Sequence, residues 1–308
     1  MDWAGKRVLV TGSTGFIGHH LVRRLVDLDA QVYAATSPAD ELDIVFGPSG
    51  LPLRPLAFDV RDPEAVQRAM DEATPEIVFS LAAVGVTNPA VDSMLALLVN
   101  AGGVVNSLEA LRGSNVSRVL LVGTCHEYGA RDAVEGLDPF NAYAASKIAA
   151  WAFGRMYWRA YDMPVVTVRP FQVYGPGQPS QSLIPAALGA ALSGEDFAMT
   201  PGEQERDFVY VQDVVDGMLA TAEAVRIEGM SLDLGTGIGH AIRHVVERIW
   251  QLTDAKGQIR LGVLSYRSSE AMQLVADADR TAKFTGWRAA TSLEEGLHAT
   301  IRSLHPQT

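Results

Sequence analysis

Strand-forming residues Val8–Val10 run straight into Thr11-Gly12-Ser13-Thr14-Gly15-Phe16-Ile17-Gly18, and the chain then takes up a helical pattern. Few folds accommodate that order. Gly12 permits a tight turn, Gly15 lets the backbone approach a pyrophosphate, and Gly18 allows a helix to pack closely on the strand. The pyrophosphate would meet a helix N-terminus, where unpaired N–H groups and the helix dipole favour negative charge; Phe16 and Ile17 complete its rim. A glycine triplet alone is a weak signal. Set between a first strand and an amphipathic helix, it points to a bound dinucleotide.

The remainder of the first half supports that architecture. Strands are predicted at Arg7–Thr11, Gln31–Ala35, Leu53–Phe58, Glu76–Ser80, Arg118–Gly123 and Val165–Arg169. Helices are predicted around Phe16–Leu28, Asp62–Ala73, Val91–Leu111 and Asn141–Tyr161. Leu21, Val22, Leu25 and Leu28 give the first helix one apolar face. Alternating strands and helices imply an α/β fold, a doubly wound parallel sheet of Rossmann type. After Arg169 the texture changes: two prolines and two glycines fall in Tyr174–Ser182. A dinucleotide-binding domain over 1–170 is therefore expected, followed by a smaller, mainly substrate-binding domain over 171–308. The apolar run Ser231–Leu234, ending in Gly235-Thr236-Gly237, is expected to return to the main sheet, so the domains interleave.

Composition removes several functions. Net charge is −11 and the basic residues form no block, which argues against a nucleic-acid partner. No run approaches the roughly 18 consecutive apolar residues of a membrane span. A polar N-terminus running into the first strand and a single cysteine, Cys125, lead to the expectation of a cytoplasmic protein without signal peptide, disulfide or metal. A small anionic ligand is still compatible, because a few placed arginines bind a diphosphate inside an acidic protein.

The strongest chemical signal is Tyr143-Ala144-Ala145-Ser146-Lys147 on a predicted helix. The i, i+4 spacing puts Tyr143 and Lys147 on one face. A phenol is a poor acid or base at neutral pH, and a neighbouring ammonium draws its pKa down. Cofactor choice turns on the end of the second strand, where a carboxylate would bind the adenosine ribose of NAD. Thr36 and Ser37 stand there instead. Their hydroxyls remove the repulsion a 2′-phosphate would meet, which leans the choice toward NADP over NAD, although no arginine lies beside them.

Taken with the loop, these residues resemble the extended short-chain dehydrogenase/reductase family, whose members act on nucleotide-sugars as epimerases, dehydratases and reductases. The resemblance covers nearly the whole chain. It implies that Asp59, followed by Val60, contacts the adenine, and that Leu81, Ala82 and Ala83 lie along the cofactor. It implies that Asn100 supports the site, and that Thr124 joins Tyr143 and Lys147 in catalysis. Gln172, in Arg169-Pro170-Phe171-Gln172-Val173-Tyr174-Gly175-Pro176, stands where the family carries a substrate-binding asparagine. Arg206, in Glu205-Arg206-Asp207-Phe208, and Arg267 would face a substrate diphosphate.

The residues after Thr124 separate the family's chemistries. Sugar 4,6-dehydratases resemble T-D-E here, whereas this chain reads Thr124-Cys125-His126-Glu127-Tyr128-Gly129. Cys125 and His126 replace the acid–base pair, which counts against dehydration. Glu127-Tyr128-Gly129 looks more like reductases of 4-keto-6-deoxyhexoses. His126 is either a base beside a ketone or a contact to a substrate hydroxyl. The expected reaction is NAD(P)-dependent reduction of a 4-keto hexose on a nucleoside diphosphate, with Tyr143 as proton donor. The alternative is a redox-neutral 4-epimerase with retained NAD; a 4,6-dehydratase or a non-catalytic NADP sensor ranks below both. Trp151, Phe153, Tyr157 and Trp158 share the Tyr143 helix and suggest core packing or a homodimer face.

Overall fold

The computed structural model describes residues 2–37, 52–88, 90–129, 136–267 and 270–304. Strands β1 (Arg7–Thr11), β2 (Gln31–Thr36), β3 (Leu53–Ala57), β4 (Ile77–Ser80), β5 (Arg118–Val122) and β6 (Val165–Pro170) follow the predicted positions to within a residue at each end. Short strands come next: β7 (Gln172–Tyr174), β8 (Phe197–Ala198), β9 (Glu205–Arg206) and β10 (Phe208–Tyr210). They are followed by β11 (Ser231–Leu234), β12 (His240–Ala241), β13 (Ile259–Arg260) and β14 (Gln273–Leu274). The main sheet has seven parallel strands in the order β11-β6-β5-β4-β1-β2-β3. Its order reverses between β1 and β4, and a crevice opens at the carboxyl ends of strands at such a switch point.

Side-chain alternation explains why both faces of this sheet are covered. Val8 and Val10 pack with Leu21, Val22 and Leu25 of the helix Phe16–Asp27 and with Val214 and Met218 of the helix Val211–Glu223. Leu9, pointing the other way, packs with Val66 and Met70 of Pro63–Ala73, Leu108 of Gly103–Ala110 and Tyr157 of Ala142–Tyr161. Trp287 closes the first of these cores. A third core, with Tyr174, Ile184, Phe208, Val245, Ile249 and Leu297, belongs to the second half of the chain. β11 comes from that half yet pairs with β6, Ser231 beside Thr167, so the sheet is finished by a strand that lies beyond β7 to β10 in the chain.

One helix departs from expectation inside its length. Asp92 caps it, accepting from the Leu95 N–H at 2.8 Å, and a π-helical stretch, Leu97–Gly102, separates α-helical Ser93–Ala96 from Gly103–Ala110. Such π segments are rare and often sit beside functional sites. Ser93–Ala110 is also long and apolar enough to cross a membrane by length and composition alone. Here it packs between the helices Pro63–Ala73 and Ala142–Tyr161.

Candidate active site

The glycine loop forms a cradle that side chains would fill. Gly12 has φ +66°, and a Cβ there would lie 2.7 Å from the Ala82 backbone nitrogen. At Gly18 a Cβ would lie 2.1 Å from the Gly12 carbonyl oxygen, so the helix can approach the strand only with glycine. Gly15 is the N-cap of Phe16–Asp27, has no capping side chain, and is followed by no acidic residue in the first turn. The helix N-terminus is thus left with N–H groups facing the loop, as an anion requires. Thr11 Oγ1 accepts from Leu81 N and Ala82 N, each at 3.2 Å, and ties the loop to the end of β4.

These residues open onto a cavity of about 700 Å³. Its wall includes Phe16 and Ile17 at the loop and Thr36 and Ser37 at the end of β2. Asp59 and Val60 beyond β3, and Leu81, Ala82 and Ala83, line it further along. The bare helix terminus, the backbone cradle and the elongated wall fit a dinucleotide. Arg61, which the sequence reading passed over, lies on the same wall. Its Nε donates to Asp59 Oδ1 at 3.0 Å, and this contact holds the Asp59 carboxyl below its usual range. The signal was only its position two residues after Asp59.

Asn100, expected to support the site, lies behind the cavity wall. It is fully buried and absent from the cavity wall. Its Oδ1 accepts from Val84 N at 2.9 Å, and its Nδ2 donates to Val84 O at 3.0 Å and to Ser146 Oγ at 2.9 Å. Asn100 therefore pins the strand-end segment against the Tyr143 helix instead of reaching a ligand.

Asn141 caps that helix by accepting from Ala144 N at 2.8 Å. Tyr143 and Lys147, one turn apart, both reach the cavity wall beside Thr124. Burial pushes the Tyr143 phenol up, and a hydrogen bond with Thr124 opposes this. Burial draws Lys147 down to about 8, against the charge of Glu127. Its Nζ donates to Val122 O at 2.8 Å and lies 5.9 Å from the centre of the Tyr143 ring. Lys147 is therefore poised to hold or lose a proton near neutral pH beside a phenol that keeps its own.

Cys125 and His126 stand on the short turn Cys125–Tyr128 that Thr124 caps. Burial pushes the Cys125 thiol up to about 12. Burial, then Arg206 and Arg267, draw the His126 imidazole down to about 4. Both are uncharged at neutral pH. Glu127 is turned inward: its Oε2 accepts from Arg169 Nε at 2.7 Å.

A second cavity of about 300 Å³ shares His126, Tyr143 and Gln172 with the first. Arg206 and Arg267 line it. Arg206 is buried and donates from NH1 to Glu205 O at 2.8 Å, while its NH2 pairs with Glu270. Arg267 is exposed. Asp207 fixes the chain here, accepting from Thr236 N at 2.9 Å and Gly237 N at 2.8 Å. Glu270 was not foreseen. It lies three residues past Arg267, and only the fold brings its carboxylate to Arg206.

A parallel-sheet dinucleotide cradle with a Thr–Tyr–Lys set at its edge defines an enzyme of the short-chain dehydrogenase/reductase type. The signature of the NAD dependent epimerase/dehydratase family matches residues 8–232, and the chain belongs to that family of nucleotide-sugar enzymes. It is 27% identical to a dTDP-D-glucose 4,6-dehydratase of Bos taurus, over 97% of this chain and 89% of that protein. The structure of MoeE5 in complex with UDP-glucose and NAD is 30% identical, covers 97% of this chain and 98% of its own, and superposes with a TM-score of 0.84. The UDP-glucose 4-epimerase of Thermotoga maritima, solved with UDP-glucose, is 25% identical, with coverage of 96% and 98% and a TM-score of 0.84.

Proposed function

We propose that this enzyme is a redox-neutral nucleotide-sugar 4-epimerase with a retained dinucleotide. Tyr143 takes the proton of the C4 hydroxyl and returns it after the hexose has presented its other face. Bound nicotinamide would serve as hydride acceptor and donor at C4. Thr124 aligns the sugar oxygen with the phenol, and the Lys147 ammonium favours the phenolate. Arg206 and Arg267 hold the diphosphate, with Gln172 and His126 against the sugar. The observation that carries the reading is the pair after Thr124. Cys125 and His126 are uncharged, and Glu127 is committed to Arg169. The residues there suit moving one proton at one oxygen, and they lack an acid–base pair for expelling water. The likeness to the Thermotoga maritima 4-epimerase supports the same reading, and MoeE5, solved with UDP-glucose and NAD, supports a nucleotide-sugar and a dinucleotide as its ligands.

Reduction of a 4-keto nucleotide-sugar by added NADPH uses the same three residues. The Glu127-Tyr128-Gly129 run and the neutral Thr36 favour it. Incubation with UDP-glucose and UDP-galactose, followed by NMR without added cofactor, tests the proposal. Interconversion is expected. Consumption of NADPH by a 4-keto sugar without interconversion would replace epimerisation by reduction, and release of a 4-keto-6-deoxy sugar would replace it by dehydration. Because no carboxylate stands at Thr36, titration is expected to show NADP binding no more weakly than NAD.

A homodimer is proposed as well. The helices Ser93–Ala110 and Ala142–Tyr161 pack together and leave Met94, Leu97, Leu98, Phe153 and Met156 exposed. A second copy laid on this face would cover them. Sedimentation should give twice the 33.1 kDa chain mass, and Leu98→Glu with Phe153→Glu should return it to the monomer. A monomer in the unaltered protein would sink the idea.

A further inference from the structure

We infer that Glu127 is a positioning residue of this site, a buried carboxylate that fixes the backbone carrying Thr124 and lies behind the Val122 carbonyl that Lys147 holds. The inference rests on the reading in which Thr124, Tyr143 and Lys147 move a proton at a sugar oxygen.

The geometry is specific. Glu127 is fully buried, and its Oε1 accepts from Thr124 N at 2.9 Å while its Oε2 accepts from Arg169 Nε at 2.7 Å. Gly123 makes the room, because a Cβ there would lie 2.3 Å from Glu127 Oε1. Arg169 is wedged between rings, its guanidinium carbon 5.1 Å from the centre of Tyr128 and 5.6 Å from that of Trp151. Tyr128 in turn donates to Asp233 Oδ1 at 2.7 Å. The chain from β11 through β6 to the turn after β5 therefore ends on the backbone nitrogen of Thr124.

A buried ion pair is an uneconomical way to fill space, since apolar residues of the same shape stabilise a fold at least as well. Retaining one under a reactive site suits a role in placing charge. The groups facing Glu127 are Arg169 from β6 and Lys147 with Tyr143 from the Ala142–Tyr161 helix, while Tyr128 of its own turn meets Arg169. Asp233 of β11 faces Tyr128 and Cys125. Among the described residues, Glu127 is the charge that opposes the effect of burial on Lys147. Without it, the lysine would lose its proton earlier, while the Tyr143 phenol, which Glu127 also pushes up, would be eased.

Competitive acetylation of lysines with acetic anhydride, read by mass spectrometry across pH, measures the Lys147 midpoint without any substrate. In Glu127→Gln, which keeps an acceptor for Thr124 N but loses the charge, proton affinity at Lys147 should fall about tenfold. The alkaline limb of kcat/KM should move down in pH with it, with KM for the nucleotide-sugar unchanged. Should the glutamine variant fail to fold, Glu127→Leu with Arg169→Met removes both charges while keeping the volume, and a drop in the same direction is expected, smaller because the Arg169 cation goes as well. An unmoved Lys147 midpoint in a folded variant overturns the inference. If the unaltered protein turns over no nucleotide-sugar, the epimerase reading fails, and the labelling still decides the role of Glu127.

Discussion

Replacing Tyr143 with phenylalanine should lower turnover by about three orders of magnitude, within the range lost when a positioned acid–base group is removed, while dinucleotide binding stays as it was. Among the described residues beside Thr124, the Tyr143 phenol is the group whose proton a neighbouring lysine can manage. Cys125 is held neutral, and His126 is drawn well below neutrality. Phenylalanine retains the ring packed edge-on against His126, so the loss should appear in kcat and not in stability. The pH dependence follows from Lys147. Its ammonium is the useful form, and burial brings it down to about 8. Activity should therefore hold below that value and fall as pH rises through it. Tyr143→Phe turning over at the unaltered rate, measured by sugar interconversion, would remove the residue from the mechanism. A rate that rises through pH 8 would reverse the role given to Lys147.

Local signals carried the fold. The glycine loop, the alternation at Val8–Val10 and the apolar stripe of Leu21, Val22 and Leu25 are each readable within a few residues, and β1 to β6 fall where those patterns place them. The Tyr143–Lys147 pair was legible for the same reason, because one helical turn fixes its geometry. Partnerships made across the chain were not. Arg169 meets Glu127 across 42 positions and Arg206 meets Glu270 across 64, and nothing local to either residue announces the other. Asn100 is a further case: its motif suggested that it supports the site, and its partners Val84 and Ser146 lie 16 and 46 positions away. Registers within a helix depend on tertiary packing, which a spacing rule does not contain. The aromatic group on the Tyr143 helix divides likewise, with Tyr157 in the core and Phe153 exposed.

Arg206→Met should raise KM for a nucleoside-diphosphate sugar by about two orders of magnitude and leave kcat nearly unchanged. A charged hydrogen bond to a buried anion contributes about 1.5–3 kcal/mol, and each 1.4 kcal/mol is about tenfold in affinity. Two such bonds from one guanidinium reach the upper end. The diphosphate is remote from C4, so its loss weakens ground and transition states alike, which is the signature of uniform binding. A second readout separates this role from simple damage. Arg206 is one of two charges that hold the His126 imidazole down. Without it the His126 titration, followed by NMR, should move up from about 4, although burial, the larger cause, remains. Arg206→Lys keeps the charge but not the planar pair of donors, so it should leave His126 near its original position while still raising KM. Methionine at 206 with unchanged KM would take the diphosphate away from this arginine and leave Arg267, at the exposed mouth of the pocket, as its anchor.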